Sequence, residues 1–312
     1  MNVKKILIDE LIKNGYSEEN GKRVWDLANR SLLHMTPNLS KAFMSLLEFE
    51  PYRKNIYQKE IDLIKRNGRN FVKEIGTDQP FNLIDIGCGN GEKAKAILEA
   101  FEDKVKIRYC PVNPGDYMIK IATKNVKQLK LKNLEIKPTK SRYDSLQGIA
   151  AKMRSNKYQK NVILLHGSIL ASYEINDYLF NLSEGMIPGG YMIIGNSIRT
   201  GERLTNLDVY KQGVFKNWFK HIMFELGFKE DEIEYDARFN SMRVENIFRI
   251  KVEKEVTAGK EKIIFRKGDE VLVAFLYKYF EEELEKFFKM YFSDVKVMKD
   301  EDNEYILALC RK

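Results

Sequence analysis

Phe81-Asn-Leu-Ile-Asp-Ile-Gly87-Cys-Gly89-Asn-Gly91-Glu-Lys93 is the stretch that decides the fold of this chain. Leu83, Ile84 and Ile86 form an apolar run of strand length, and Ala94, Ile97 and Leu98 set a helical stripe directly after the glycines. A strand joined to a helix through three glycines lets the backbone come close to a ligand, because no Cβ stands in the way. The amides of such a turn, together with the positive end of the helix, face that ligand. The spacing is Gly-x-Gly-x-Gly after an acidic residue, Asp85. It is not the Gly-x-Gly-x-x-Gly that cradles a dinucleotide pyrophosphate. Taken alone, these letters also fit an ordinary tight strand–helix turn.

Outward from this stretch, strands are expected at 82–87, 104–112, 134–137, 161–165 and 191–194, with helices at 117–129, 148–155 and 175–182 between them. Apolar strands alternating with helices predict an α/β fold with a parallel, doubly wound sheet, whose ligand lies beyond the carboxyl ends of the strands. Residues 1–75 read as helices, from the spacing of Ile6, Leu7 and Leu11, then Val24, Leu27, Leu32 and Leu33, and finally Ile61, Ile64 and Phe71. Asn38 to Lys41 supplies a helix cap. After residue 197 the alternation breaks into a helix at 209–226 and strand-like runs at 242–252, 262–266 and 270–276. A helix at 280–288 and strands at 295–298 and 304–310 then close the sheet. Four regions follow: helices in 1–75, an α/β core in 76–197, an inserted α+β lobe in 198–275 and completion of the core in 276–312. The insert leaves the sheet at its ligand-binding edge, so it is expected to cover the reacting centre, with 1–75 either joining that lobe or serving oligomerisation. Trp218, Phe219, Phe224 and Phe228 of the insert read as core.

Composition narrows the class. The 312 residues allow a sizeable core, with 44% hydrophobic residues. No apolar run reaches the ~20 residues of a membrane span, so no membrane partner is expected. Met1 to Lys13 lacks a signal-peptide core, which reads as a mature cytoplasmic chain. Cys88, Cys110 and Cys310 have no paired spacing, so neither a disulfide framework nor a metal site is expected. The net charge of +8 permits RNA as a partner, yet Lys and Glu interleave throughout, as on a solvated mixed-charge surface. Composition is silent on oligomeric state.

The turn, with Asp85 before it, resembles motif I of the class I S-adenosylmethionine (SAM) methyltransferases. From about Tyr52 onward the chain resembles the histidine-specific SAM methyltransferase family, which includes the ergothioneine-pathway histidine Nα-methyltransferase. The likeness rests on Glu92-Lys93, on Pro111-Val-Asn113-Pro114, on Gly167-Ser168-Ile-Leu170, on Arg243-Val-Glu245 and on Tyr277-Lys-Tyr279. It implies a Rossmann-like fold, SAM as methyl donor and S-adenosylhomocysteine as product. It implies that Gly87, Cys88, Gly89 and Gly91 shape the methionine pocket and that Lys93 meets the SAM carboxylate, its alternative being a helix-surface lysine. Asp85 orients the turn, Asn113 faces the ribose with Asp116 as a substitute, Tyr143 or Asp144 reaches the adenine, and Gly167 and Ser168 line the methyl-transfer point. The departures matter. Asn113 replaces the family's ribose carboxylate, Ser172 falls where the family has Asn, and Ala274 and Leu276 stand where the family's acidic and hydroxyl anchors of histidine lie. An ammonium placed there would lack its carboxylate partner, so free histidine is not the expected acceptor.

Methyl transfer is a displacement at a sulfonium that requires alignment and a free lone pair on the acceptor. His166 at a strand end is either a general base or a structural histidine. Tyr52 and Tyr57 either close over the acceptor or pack between helices. The expected activity is N-methylation of a small amino-containing molecule or a protein side chain. An RNA methyltransferase and a non-catalytic SAM-binding or partner protein are the alternatives.

Overall fold

The computed structural model describes residues 2–19, 21–201 and 207–312, without the side chains of 144, 146 and 147. The chain divides into two compact units, residues 1–49 with 203–277 and residues 50–202 with 278–312.

The second unit carries strands β1 (Phe81–Ile86), β2 (Ile107–Asn113), β3 (Leu134–Ile136), β4 (Lys160–Leu165), β5 (Tyr191–Ser197), β6 (Asp294–Lys299) and β7 (Tyr305–Arg311). Its helices are α1 (Gln58–Ile75), α2 (Glu92–Phe101), α3 (Asp116–Lys127), α4 (Leu146–Met153), α5 (Ile175–Glu184) and α6 (Glu281–Tyr291). The strands run in the order β6-β7-β5-β4-β1-β2-β3, and the short strand Thr139–Lys140 pairs with β2. β1 to β5 are parallel, while β7 lies antiparallel between β5 and β6. Every residue of β1 is buried, as a central strand covered on both faces requires. The order reverses between β1 and β4, which places the glycine turn after β1 at the switch point of the sheet. This is the class I methyltransferase architecture expected from the sequence.

In the first unit a five-stranded sheet runs Tyr16–Glu19, Lys22–Asp26, Glu270–Tyr277, Arg243–Ile250, Ile233–Asn240. Helices Val3–Asn14, Pro37–Glu48 and Gly213–Leu226 accompany it. Trp218 and Phe219 are buried as expected, and the Trp218 ring packs on Phe43 and His34.

Several boundaries differ from the sequence reading, for physical reasons. Strands Tyr16–Glu19 and Lys22–Asp26 pair antiparallel, where the sequence pattern predicts a helix. Gly15, with a positive φ, ends the first helix by returning its N–H to Leu11 O, and the next residues alternate faces. Val24 joins Ile247 and Leu272, whereas Trp25 packs on Phe265. The cap of the next helix is Thr36, whose Oγ1 accepts from Leu39 N, followed by Pro37. Residues 50–75 belong with the parallel sheet, not with the remainder of 1–75. A Cβ on Gly68 of α1 would stand 2.8 Å from Ala100 Cβ, so α1 lies directly on α2. The helix expected over 209–226 is two, Leu207–Tyr210 and Gly213–Leu226, broken where Gly213 weakens helix propensity. The strand Ile233–Asn240 escaped the pattern because it is an edge strand with polar residues facing water.

Candidate functional site

The turn after β1 is fastened to the end of β2. Gly87 N and Cys88 N both donate to Val112 O, at 3.0 and 3.2 Å. Gly87, Gly89 and Gly91 all have positive φ, which an L side chain adopts only with strain. Their surroundings differ. A Cβ on Gly87 would meet Ile169 Cδ1 at 2.3 Å, and one on Gly91 would meet Ala122 Cα at 2.9 Å. One on Gly89 would meet nothing closer than Gly87 O at 3.9 Å. Two glycines thus permit close packing within the protein, and the third leaves the backbone open to a ligand. Asn90 Oδ1 accepts from Glu92 N at 3.0 Å, capping α2, and from Tyr57 Oη at 2.6 Å. Tyr57 therefore fastens the turn from the π-helical segment Arg53–Tyr57, and its ring lies beneath the Lys93 ammonium. In the structure Tyr57 is packed, 6% exposed.

The neighbouring strand ends are polar and buried. Asp85 accepts from Tyr109 Oη at 2.8 Å, and burial raises its pKa against that hydrogen bond. Burial pushes the Cys88 thiol well up, so it is no nucleophile. Asn113 accepts from Gly115 N at 3.0 Å and donates to Tyr143 Oη at 3.0 Å, leaving one oxygen lone pair toward the switch point. Asp116 is exposed and pairs with Lys140. The side chain of Asp144 lies outside the described residues.

At the end of β4 the chain turns through Gly167 and Ser168, both with positive φ. Ser168 holds this conformation with Ser168 N on Gly195 O at 3.2 Å and Ser197 N on Ser168 Oγ at 3.1 Å, which clamps β4 to β5. Lys278 Nζ donates to Ser197 Oγ at 3.1 Å. Ser172 Oγ is buried without a hydrogen-bond partner.

One residue that the sequence reading did not single out organises this region. Glu60 of α1 is 1% exposed. Its Oε1 lies 2.8 Å from His166 Nδ1, Gly167 N donates to both of its oxygens at 3.2 Å, and Lys93 Nζ pairs with Oε2. Lys93 is thus no surface lysine. The Tyr305 hydroxyl lies against the carboxylate, with Tyr52 close by. Room for the carboxylate comes from Gly195 of β5, where a Cβ would stand 2.0 Å from Glu60 Oε1. His166 Nε2 is buried and has no hydrogen-bond partner among the described residues. The structure therefore brings His166, Gly167, Lys93 and the glycine turn together around Glu60. Ala274 and Leu276 lie in the other unit, on strand Glu270–Tyr277, where Ala274 pairs with Asn246 and Leu276 with Val244.

Burial opposes ionisation of Glu60, but Lys93 and His166 outweigh it and draw its pKa from 4.5 down to about 2. A depressed carboxyl pKa contributes stability that is complete above the unfolded value and lost as pH falls through the folded one. The thermal midpoint of the protein should therefore drop between pH 4.5 and about 2, and Glu60→Gln should flatten that part of the profile. A variant profile parallel to wild type over that window would remove Glu60 from the acid transition.

Among the described residues, no helix is long and apolar enough to cross a membrane. The family profile described as histidine-specific methyltransferase, SAM-dependent, matches residues 40–312. Over 50 residues the chain is 36% identical to "Ergothioneine biosynthesis protein 1" of Schizosaccharomyces pombe, a match covering 16% of this chain and 6% of that protein. Among solved structures it is similar to an S-adenosylmethionine-dependent methyltransferase from Clostridium acetobutylicum, with TM-score 0.45, 17% identity and coverage of 88% of this chain and 99% of that one. It is also similar to the PH0226 protein from Pyrococcus horikoshii, with TM-score 0.48, 12% identity and coverage of 87% and 98%. With the match running across nearly all of the parallel sheet, the glycine turn and the insert, the chain belongs to the SAM-dependent, histidine-specific methyltransferase family.

Proposed function

We propose that this methyltransferase acts on an amine nitrogen of a small molecule or a protein side chain, and that free histidine is not its acceptor. SAM would rest on the turn from Gly87 to Gly91, against the open backbone at Gly89, with Asp85, Lys93, Asn113 and Gly167 around it. Bound there, SAM supplies an electrophilic methyl carbon: the amine lone pair forms the N–C bond as the C–S bond breaks and its electrons stay on sulfur.

The observation that carries the reading is His166 at the end of β4, its Nδ1 2.8 Å from Glu60 Oε1 and its Nε2 without a hydrogen-bond partner among the described residues. An ammonium has no lone pair and must lose a proton before it attacks. His166 Nε2 accepts that proton, and the ionised Glu60 beside Nδ1 balances the imidazolium so formed. Ser168, held in a strained turn, shapes the same strand end, and Tyr52 lies beside the Glu60–Tyr305 contact.

The choice against histidine rests on the two positions where the resembled family carries its histidine anchors. Ala274 and Leu276 offer no charge, and Asn246 opposite Ala274 is engaged by Tyr235 Oη and Ala274 O. Two nearby carboxylates of that sheet are engaged as well: Glu245 by Arg238 and Arg243, and Glu270 by Arg238. With SAM and a panel of amines, S-adenosylhomocysteine release should appear for an acceptor other than histidine. Trimethylhistidine detected by mass spectrometry after incubation with histidine would overturn the choice of acceptor, and turnover confined to hydroxyl or thiol acceptors would overturn the amine.

A further inference from the structure

We propose that Glu60 is a positioning residue for the proton-accepting step: its carboxylate holds the His166 imidazole with the proton on Nδ1, so that Nε2 presents a lone pair to the acceptor. This deepens the reading of His166 as the base and rests on it.

The geometry assigns the role. A carboxylate accepts hydrogen bonds and donates none when ionised, so the imidazole nitrogen 2.8 Å from Oε1 must carry the hydrogen. The neutral ring then has no hydrogen on Nε2. Lys93 keeps Glu60 ionised by pairing with the other oxygen, and Gly167 N–H holds the carboxylate plane through both oxygens. The sequence Lys93, Glu60, His166 thus runs from the helix after the glycine turn to the end of β4, using one side chain from α1.

A purely structural ion pair would explain less. Lys93 and Gly167 N–H meet one oxygen, yet the other is turned onto an imidazole whose remaining nitrogen has no partner among the described residues. The fold also makes room for this arrangement. A Cβ at position 195 would stand 2.0 Å from Glu60 Oε1 and 2.9 Å from Tyr305 Oη, so β5 carries glycine at that point. In the step itself, the acceptor ammonium gives its proton to Nε2, the ring becomes imidazolium, and the Glu60 carboxylate lies against the Nδ1–H side of that cation. Charge is conserved, and no other reactant is needed.

The test is histidine-15N NMR on the full chain without SAM or acceptor, so its outcome does not depend on knowing the substrate. The chain has 3 histidines, and His166→Gln assigns the signal. Wild type should show His166 with hydrogen on Nδ1 and none on Nε2. Glu60→Gln removes the charge, and its neutral amide donates to Nδ1 as readily as it accepts from it. Gly195→Ala keeps the charge but displaces the carboxylate. Each should raise the Nε2–H form from under about a tenth to about half or more, with the backbone amide signals of strands β1 and β2 unmoved as evidence that the unit holding His166 is intact. The double variant should be no worse than either single one, because both remove the same contact. Turnover on an amine acceptor should fall about a hundredfold or more in each, as when a carboxylate orienting a catalytic histidine becomes an amide. A wild-type His166 protonated on Nε2 would overturn the proposal even if both variants failed to fold. So would folded variants with the wild-type tautomer. Histidine methylation, or methylation of an oxygen acceptor, would overturn the choice of acceptor and leave this result standing.

Discussion

Gly89→Val should abolish binding of SAM and of S-adenosylhomocysteine while the chain stays folded. The reason is the contrast among the three glycines of the turn. At position 89 an added Cβ meets nothing closer than Gly87 O at 3.9 Å and projects where the backbone is open. Strain at φ +51 adds about 1–2 kcal/mol. Loss of affinity should be at least a hundredfold, or about 2.7 kcal/mol, measured by calorimetry beside a thermal melt. Gly87→Val should behave differently, because its Cβ meets the protein itself, Ile169 Cδ1 at 2.3 Å, and that side chain must turn aside. Wild-type affinity in a folded Gly89→Val protein would remove the ligand from this turn.

His166→Gln should leave S-adenosylhomocysteine affinity within about threefold and lower kcat by about 10²- to 10⁴-fold, the usual contribution of a general base. Glutamine keeps a group that bonds to Glu60, so the buried Glu60–Lys93 pair remains compensated. The variant separates binding from proton transfer: a matching fall in affinity and rate would mark His166 as a scaffold residue, and an unchanged kcat would move the base elsewhere. Single-turnover measurements with the amine found by acceptor screening give the rate directly.

The cofactor half of the site was legible because it is local. The strand, the glycines and the following helix lie within residues 81–101, and backbone conformation there is dictated by residues a few positions apart. The sheet was legible for the same reason, since each strand shows its own apolar run. Glu60 was not, because it meets His166 106 positions away and sits in the polar string Gln58-Lys59-Glu60. A signal existed. Glu60 falls in line with Ile64, Gly68, Phe71 and Ile75, a stripe otherwise buried along α1, where a carboxylate needs a partner. The pairing of Tyr16–Glu19 with Lys22–Asp26 was hidden differently. Val24 and Leu27 share helical spacing, yet the strand Lys22–Asp26 finds its second partner only at Glu270–Leu272.

That last pairing has a kinetic consequence. Lys22–Asp26 lies beside Glu270–Tyr277, with Arg23 bonded to Asp269 across 246 positions of sequence. Likewise β5 borders β7, which is translated more than a hundred residues later. Each unit is therefore incomplete until late in synthesis, and each contains the chain ends of a long closed loop. Loop-closure entropy precedes the reward of such contacts, which slows refolding from denaturant and lengthens the exposure of unpaired strand edges. The same interleaving forbids a clean excision: removing 203–277 strips Lys22–Asp26 of its parallel neighbour and leaves residues 1–49 without a sheet to join.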